Sequence, residues 1–193
     1  VLISNFNMKK KRCEWCLKDE IYMKYHDDGW GIPIHDDNKH FEYLALEAAQ
    51  AGLSWYTILI RMEGYRKAFA NWNLDEIKNF NEENVLNMLQ FKGIIRNRKK
   101  IEAVIHNVKP FKEIQNEFGS FDNYIWSYVN GQPIRNIIHN KADYVASSSL
   151  SDKVSLDLKK RGFKFIGSTT IYAYLQAAGI VNDHAEYCWR KQL

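Results

Sequence analysis

All three cysteines of the chain lie near its ends, Cys13 and Cys16 at one and Cys188 at the other. Cys188 follows His184 by four residues in the stretch NDHAEYC. On a helix, residues four apart share a face, so this pair can supply half of a tetrahedral zinc site. Between Phe118 and Val181 there is no further cysteine and one solitary histidine, His139, so the second half has to come from far away in sequence. Cys13, Cys16 and His26 are the candidates, and C-x-x-C is a common zinc hairpin. Two ligand sets are open, Cys13/Cys16/His184/Cys188 and Cys13/His26/His184/Cys188. Either one forces the first and last turns of the chain together, a stronger constraint on the fold than any local propensity. Either also uses four protein ligands and leaves no position for water, which speaks for a structural metal and against a zinc hydrolase. The competing reading is three unrelated thiols. The odd, low cysteine count argues against a disulfide framework and for a reducing compartment.

With 193 residues, 46% of them hydrophobic, the chain has enough material for one domain with a sizeable core. No linker, repeat or low-complexity run divides it. The start, VLISNFNMKKKR, lacks the apolar region of a secretory signal, and no segment approaches the roughly 20 apolar residues of a membrane helix. Residues 1–11 read as an extension and residues 12–193 as the domain. Apolar positions recur at helical spacing nearly throughout, as in Phe41, Leu44, Ala48 and Ala51. Gly52 is a stop and Ser54 an N-cap for the next helix; Asn73 and Asn81 read as further caps. LNMLQFKGIIRNRKKIEAVIHNV reads as helix, turn at Gly93, helix. Asn123–Val129 and Ser151–Lys160 look helical, and Ser168 or Thr169 caps a helix that runs to Ala178 before Gly179. Alternating strand patterns are scarce. The expectation is an all-α domain of eight to ten short helices.

Three further stretches could carry chemistry. YHDDGWGIP, broken by Gly29, Gly31 and Pro33, reads as an irregular loop that carries Tyr25 and Trp30; it suits a pocket wall, or simply packs on the core. Glu47 in LALEAAQAGLSW lies about 60° from the middle of its helix's apolar stripe, at the edge of the buried face. A carboxylate there is either solvated, paired or turned toward a cavity, and Trp55 beyond the Gly52 break could close on the same cavity. In KGIIRNRKK, a glycine between two helices frees backbone N–H groups for a phosphate, with Lys92, Arg96, Arg98, Lys99 and Lys100 around it. A second basic cluster, Lys159, Lys160, Arg161 and Lys164, flanks Gly162. Net charge is +4 and aromatic content 14%, including 6 Trp, which is compatible with nucleic acid without demanding it.

Taken in order from about Arg12 to Cys188, the stretches YHDDGWGIP, LALEAAQAGLSWYTIL, GIIRNRKKI, KKRGFKFIGSTTIYAYLQAAGIVNDH and the terminal His/Cys pair resemble 3-methyladenine DNA glycosylase I, a bacterial family of the helix-hairpin-helix superfamily. The resemblance implies an all-α fold whose ends are tied by one structural zinc on Cys13, His26, His184 and Cys188, with Cys16 outside the ligand set. It implies a base pocket made of Tyr25, Trp30, Glu47 and Trp55, with Trp15 nearby and Glu47 as the catalytic candidate, ionised at the pocket edge. Gly93, Arg96, Arg98 and Lys99 would belong to the DNA-binding hairpin, and Gln50, Gly52 and Leu53 to the turn that fills the gap left by a flipped nucleotide. The implied activity is hydrolysis of the N-glycosidic bond of 3-methyladenine in alkylated double-stranded DNA by a cytoplasmic monomer. Many relatives in the superfamily follow the hairpin with a Gly-Pro-Asp loop; VKPFKEIQNEFGSFDNYIWS contains none, and no hairpin lysine stands where a lyase needs one, so strand cleavage is not expected. The alternative is a zinc-clipped DNA-binding module without catalysis, which would lack an aromatic cavity holding a carboxylate.

Overall fold

The computed structural model describes residues 10–192, and among these the architecture is almost wholly helical. The helices are α1 (Glu20–Asp28), α2 (Asp37–Gln50), α3 (Trp55–Leu59), α4 (Met62–Ala68), α5 (Leu74–Ile77), α6 (Glu82–Gln90), α7 (Arg98–Phe118), α8 (Phe121–Ser127), α9 (Ser149–Lys160) and α10 (Ser168–Ala177). One feature departs from the all-α expectation: β1 (Ile134–Arg135) pairs in parallel with β2 (Val181–Asn182). Two-residue strands carry no alternation, so periodicity does not reveal them.

The layout follows from local chemistry. Ser54 caps α3 by accepting from Thr57 N–H, and Asn81 forms a reciprocal capping box with Asn84 at the start of α6. Asn97 caps α7. α10 departs from its expected cap: Gly167 takes the N-cap position, and Ser168 Oγ instead lies 2.8 Å from Ser151 Oγ of α9. The Gly93 turn between α6 and α7 is pressed against α4. A Cβ on Gly64 would fall 2.0 Å from the Gly93 carbonyl oxygen, so glycine is required there by close approach.

Helix α2 is the axis of the core, with α3, α7, α8 and α10 packed around it. Ten consecutive residues, His40 to Ala49, are buried, so the helix is enclosed on all sides rather than along one stripe, and Ala51 lies exposed beyond it. Glu47 is therefore buried, not at an edge. The other polar residues in this run are paired. His40 Nδ1 lies 2.7 Å from Tyr174 Oη and its Nε2 3.0 Å from Asp122. Glu42 accepts from Arg66 and Lys39, each at 2.7 Å.

The two ends of the chain do meet. Trp189 N–H donates to the Lys11 carbonyl at 2.9 Å, the Lys10 ammonium sits 4.0 Å from the centre of the Trp189 ring, and Arg12 pairs with Asp27 at 2.8 Å. Residues 10 and 11 thus belong to the domain rather than to an extension; residues 1–9 of that extension lie outside the described residues. The segment after β2 is a series of turns, with Cys188 N–H donating to the Ala185 carbonyl. His184 and Cys188 are thus separated by a tight turn and do not share a helix face.

Candidate functional site: an aromatic cleft beside a Cys/His cluster

A cleft of about 850 Å³ opens among α1, α2, α3 and the loop 138–145. Trp15, Tyr25, Trp30, Glu47, Gln50 and Trp55 all line it, so the structure gathers every residue expected of the pocket. Tyr25 is not on a loop. It occupies the last turn of α1, a helix capped by Asp19, and Trp30 follows the Gly29 break. Tyr25 and Trp55 face each other at 5.3 Å, and Trp15 meets Trp30 edge-on at 5.0 Å. Flat aromatic walls of this kind accept a planar ring by stacking.

Glu47 lies at the floor with 5% exposure, and its Oε2 has no hydrogen-bond partner. Burial without a compensating cation pushes its carboxyl up to about 8. With that value it is mostly protonated at neutral pH, whereas the resemblance implied an ionised carboxylate. Trp55 Nε1 is the second buried, unpartnered polar atom in the cleft. A buried polar atom without a partner is rare enough to need a reason, and two lining one aromatic cleft point to a polar, planar ligand.

Behind Trp30 lies the Cys/His cluster. The ligand atoms of Cys13, His26 and Cys188 are all buried and lie within 4.8 Å of one another. His26 Nε2 is 3.3 Å from Cys188 Sγ. His184 stands against His26 with ring centres 5.1 Å apart; its Nδ1 is 3.1 Å from Asn182 Oδ1 and its Nε2 is buried and unpartnered. Burial holds His184 neutral, far below the usual imidazole range, at about 3. Hydrogen bonding from Cys13, then from His26, lowers the Cys188 thiol, while the same bond to Cys188, together with burial, raises that of Cys13. Cys16 points elsewhere: its thiol donates to the Cys13 carbonyl at 3.1 Å and packs into the main core. The C-x-x-C pair therefore does not converge, because a short helical turn over Glu14–Cys16 separates the two side chains. Trp30 touches both imidazoles, at 4.7 Å from His184 and 6.4 Å from His26.

Several contributors escape a sequence reading. Asp27 holds His26 Nδ1 at 2.9 Å, as a carboxylate behind a histidine ligand does; its adjacency to His26 is the available signal. Gly31 has φ +73°, and a Cβ there would sit 2.4 Å from His184 Cε1. Buried Asp183 accepts from Asn136, Tyr172 and Gln176, each at 2.7 Å, and so orders the chain next to His184.

The exposed turn Ala51–Ser54 and the hairpin around Gly93 lie next to each other on the surface. Lys100 joins them: its ammonium donates to the Ala49 and Ala51 carbonyls at 2.8 and 2.7 Å, at the C-terminal end of the helix that carries Glu47. Arg96 and Lys99 are exposed and form no ion pair among the described residues. Arg98, expected on the same face, is committed to Glu82 at 2.8 Å and Glu102 at 3.1 Å, and so pins α6 to α7.

Solved structures share this fold. A crystal structure of 3-methyladenine DNA glycosylase I superposes with a TM-score of 0.90 at 42% identity, covering 93% of this chain and 99% of that one. A variant of 3-methyladenine DNA glycosylase I in complex with 3-methyladenine also superposes at 0.90, with 35% identity over 93% of this chain and 97% of that one. Fold and cleft together define a helical DNA glycosylase. Within that class, the chain belongs to the methyladenine glycosylase family, whose profile matches residues 15–191. It is 42% identical over 178 residues to DNA-3-methyladenine glycosylase 1 of Escherichia coli (strain K12), spanning 92% of this chain and 95% of that protein.

Proposed function

We propose that the protein is a base-excision glycosylase that hydrolyses the N-glycosidic bond of 3-methyladenine extruded from alkylated duplex DNA, leaving the strand uncut. The observation that carries this reading is Glu47: a buried carboxyl with a free oxygen, at the floor of a cleft walled by Tyr25, Trp30 and Trp55. A non-catalytic DNA-binding module has no use for such a group, since an unpartnered buried carboxyl costs stability.

The chemistry follows from charge. Methylation at N3 makes adenine cationic, so the bond to C1′ breaks with its electron pair going to the base, which leaves neutral. Water adds to C1′ and its proton passes to solvent. Little acid catalysis is needed, and selection dominates. The aromatic walls favour a cation by about 0.5–2 kcal/mol per good contact. Glu47 adds more, because a cation in the cleft restores its ionised form and a hydrogen bond to the charged carboxylate is stronger than one to a neutral group. Neutral adenine cannot displace that proton, so Glu47 discriminates by charge. The duplex would be held through Arg96, Lys99 and the Gly93 hairpin of a helix-hairpin-helix element, with Gln50, Gly52 and Leu53 entering the gap left by the base. Arg98 would stiffen the hairpin instead of meeting phosphate.

The Cys/His cluster fits a structural zinc. Cys13, His26 and Cys188 converge, and the unpartnered His184 Nε2 would complete a four-ligand S₂N₂ set with no position for water. Bound metal would tie the chain ends and, through Trp30, fix one wall of the cleft. Cysteines kept as thiolate ligands suit a reducing compartment such as the bacterial cytoplasm.

The deciding assay is release of methylated base from alkylated duplex DNA. Wild-type protein should free 3-methyladenine without nicking the strand. Glu47→Ala should keep the fold and lose most activity. Folded wild-type protein that releases no methylated base refutes the proposal.

A further inference from the structure

Charge alone does not choose among methylated purines. Methylation at N3 makes adenine and guanine cationic alike, so the Glu47 carboxyl and the aromatic walls accept either ring. The two differ at position six, where adenine carries an amine that donates hydrogen bonds and guanine a carbonyl that accepts them. A side chain that separates them has to hold a donor or an acceptor in a fixed orientation toward the cleft.

A residue of α10 meets that condition. The helix contributes Ala173 and Gln176 to the cleft lining, and Ala173 brings only a methyl group. The Gln176 amide is not free to turn. Its Nε2 donates to Asp183 Oδ2 at 2.7 Å. Tyr172, one turn earlier on the same face of α10, donates to the same oxygen at 2.7 Å, and Asn136 Nδ2 donates to Oδ1 at 2.7 Å. Asp183 is buried among these donors at 1% exposure, between Asn182 of β2 and His184 of the Cys/His cluster. A carboxylate only accepts hydrogen bonds, so Gln176 must turn its NH2 group to Asp183 and its carbonyl away. Gln176 Oε1 forms no hydrogen bond among the described residues, and the side chain is half-buried at the cleft.

The other polar groups of the cleft do not read position six in this way. Glu14, Lys18, His139, Asn140 and Lys141 are exposed. Tyrosine hydroxyls rotate to donate or accept as the ligand requires. Trp55 Nε1 is a donor, which suits a ring nitrogen present in both purines.

We propose that Gln176 is a specificity-determining residue. Its carbonyl accepts a hydrogen bond from the six-amino group of the methylated base, and Asp183 is the positioning residue that fixes this orientation. A six-oxo purine brings a lone pair against the same oxygen, so it forfeits the bond and is repelled. The inference rests on the glycosylase reading for why a methylated purine enters the cleft, but its test uses free bases and does not depend on catalysis.

Affinities for free 3-methyladenine and 3-methylhypoxanthine, which differ in the substituent at position six, are measured by isothermal titration calorimetry. Wild type, Gln176→Met and Gln176→Asn are compared, with thermal melting to verify folding. Wild type should prefer 3-methyladenine by about tenfold or more, the scale of one hydrogen bond replaced by an unpaired group. Gln176→Met keeps the length and removes the acceptor. It should weaken 3-methyladenine about tenfold and leave 3-methylhypoxanthine unchanged or tighter, so that the preference disappears. Gln176→Asn draws the carbonyl back by one methylene; it should shift the preference in the same direction, and it carries the comparison if the methionine variant does not fold. A preference that survives in the folded variants overturns the proposal. An equal loss for both bases also overturns it, since Gln176 would then only prop Asp183. A wild type without preference overturns it outright, and a wild type that binds neither base overturns it together with the base pocket. If the preference depends on Gln176 but no base is released from alkylated duplex, the glycosylase reading fails and the assignment of Gln176 stands.

Discussion

Glu47→Gln should stabilise the folded protein while impairing its activity, and the gain should depend on pH in a defined way. The carboxyl is enclosed in the folded state and its proton is held up to about 8, against 4.5 for an ordinary glutamate. Below 4.5 both folded and unfolded chains carry the proton, and Glu47 contributes no pH dependence. Between 4.5 and 8 the unfolded chain is ionised and the folded one is not, so stability falls as pH rises, by about 1.4 kcal/mol per unit. Above about 8 both are ionised and the penalty levels off. At pH 7 the accumulated cost is ~3 kcal/mol. Glutamine has the shape of the protonated acid and no charge to desolvate, so it escapes the penalty. The difference between variant and wild type should be ~1 kcal/mol at pH 5 and ~4 kcal/mol at pH 8. For a domain of this size, ~3 kcal/mol corresponds to a melting-temperature difference of roughly 6–12 °C. Paired melting curves from pH 4.5 to 8.5, without ligand, read it directly, because groups not coupled to Glu47 cancel in the difference. A variant-minus-wild-type difference that is flat with pH would refute both the burial of this carboxyl and its role as a sensor of a cationic base.

Further outcomes follow from other contacts. Saturating wild type with a cationic methylpurine should release a proton at pH 7, measurable in buffers of different ionisation enthalpy, and Glu47→Gln should abolish that release. Gly31→Ala should cost ~2–4 kcal/mol, because its Cβ would meet His184 Cε1 at 2.4 Å in a backbone already at φ +73°, and the purified variant should carry less zinc by elemental analysis. Lys100→Met, which removes two hydrogen bonds to the α2 carbonyls, should cost about 1.5–3 kcal/mol in denaturant unfolding and raise KM for DNA more than it alters binding of the free base. Arg96→Ala and Lys99→Ala should each flatten the salt dependence of duplex binding, whereas Arg98→Ala should mainly lower melting temperature, since its charge is neutralised by Glu82 and Glu102. Chelation should reduce activity together with the tryptophan signal of Trp30, and cobalt or cadmium should restore both; recovery of the fold without recovery of activity would assign the metal a chemical role.

By itself the sequence determined the helical class, the positions of most stops and caps, and that Cys13 and Cys188 at opposite ends could meet, while the choice of His26 over Cys16 as their partner came from the family resemblance. The helices, stops and caps are legible because they rest on short-range rules: a 3.6-residue period, an asparagine before a helix, a glycine after one; the meeting of the ends is legible because few residue types can ligate a metal. The pocket residues Tyr25, Trp30 and Trp55 were visible as aromatics in unusual company, and their roles came from the resemblance of whole motifs. What only the tertiary structure decided is the state of each group. Glu47 looks like a boundary residue on an isolated helix, yet α2 is enclosed by four neighbours, so its carboxyl is buried, unpartnered and mostly protonated. Arg98 and Arg96 are equivalent in a basic run, yet one is locked to Glu82 and the other is exposed. Cys16 matches a zinc motif, yet one helical turn sends it into the core. Lys100 reads as a DNA contact, yet it caps the helix that carries the buried acid. Charge and exposure depend on which distant elements pack against a residue, and that is a property of the folded chain that no local window contains.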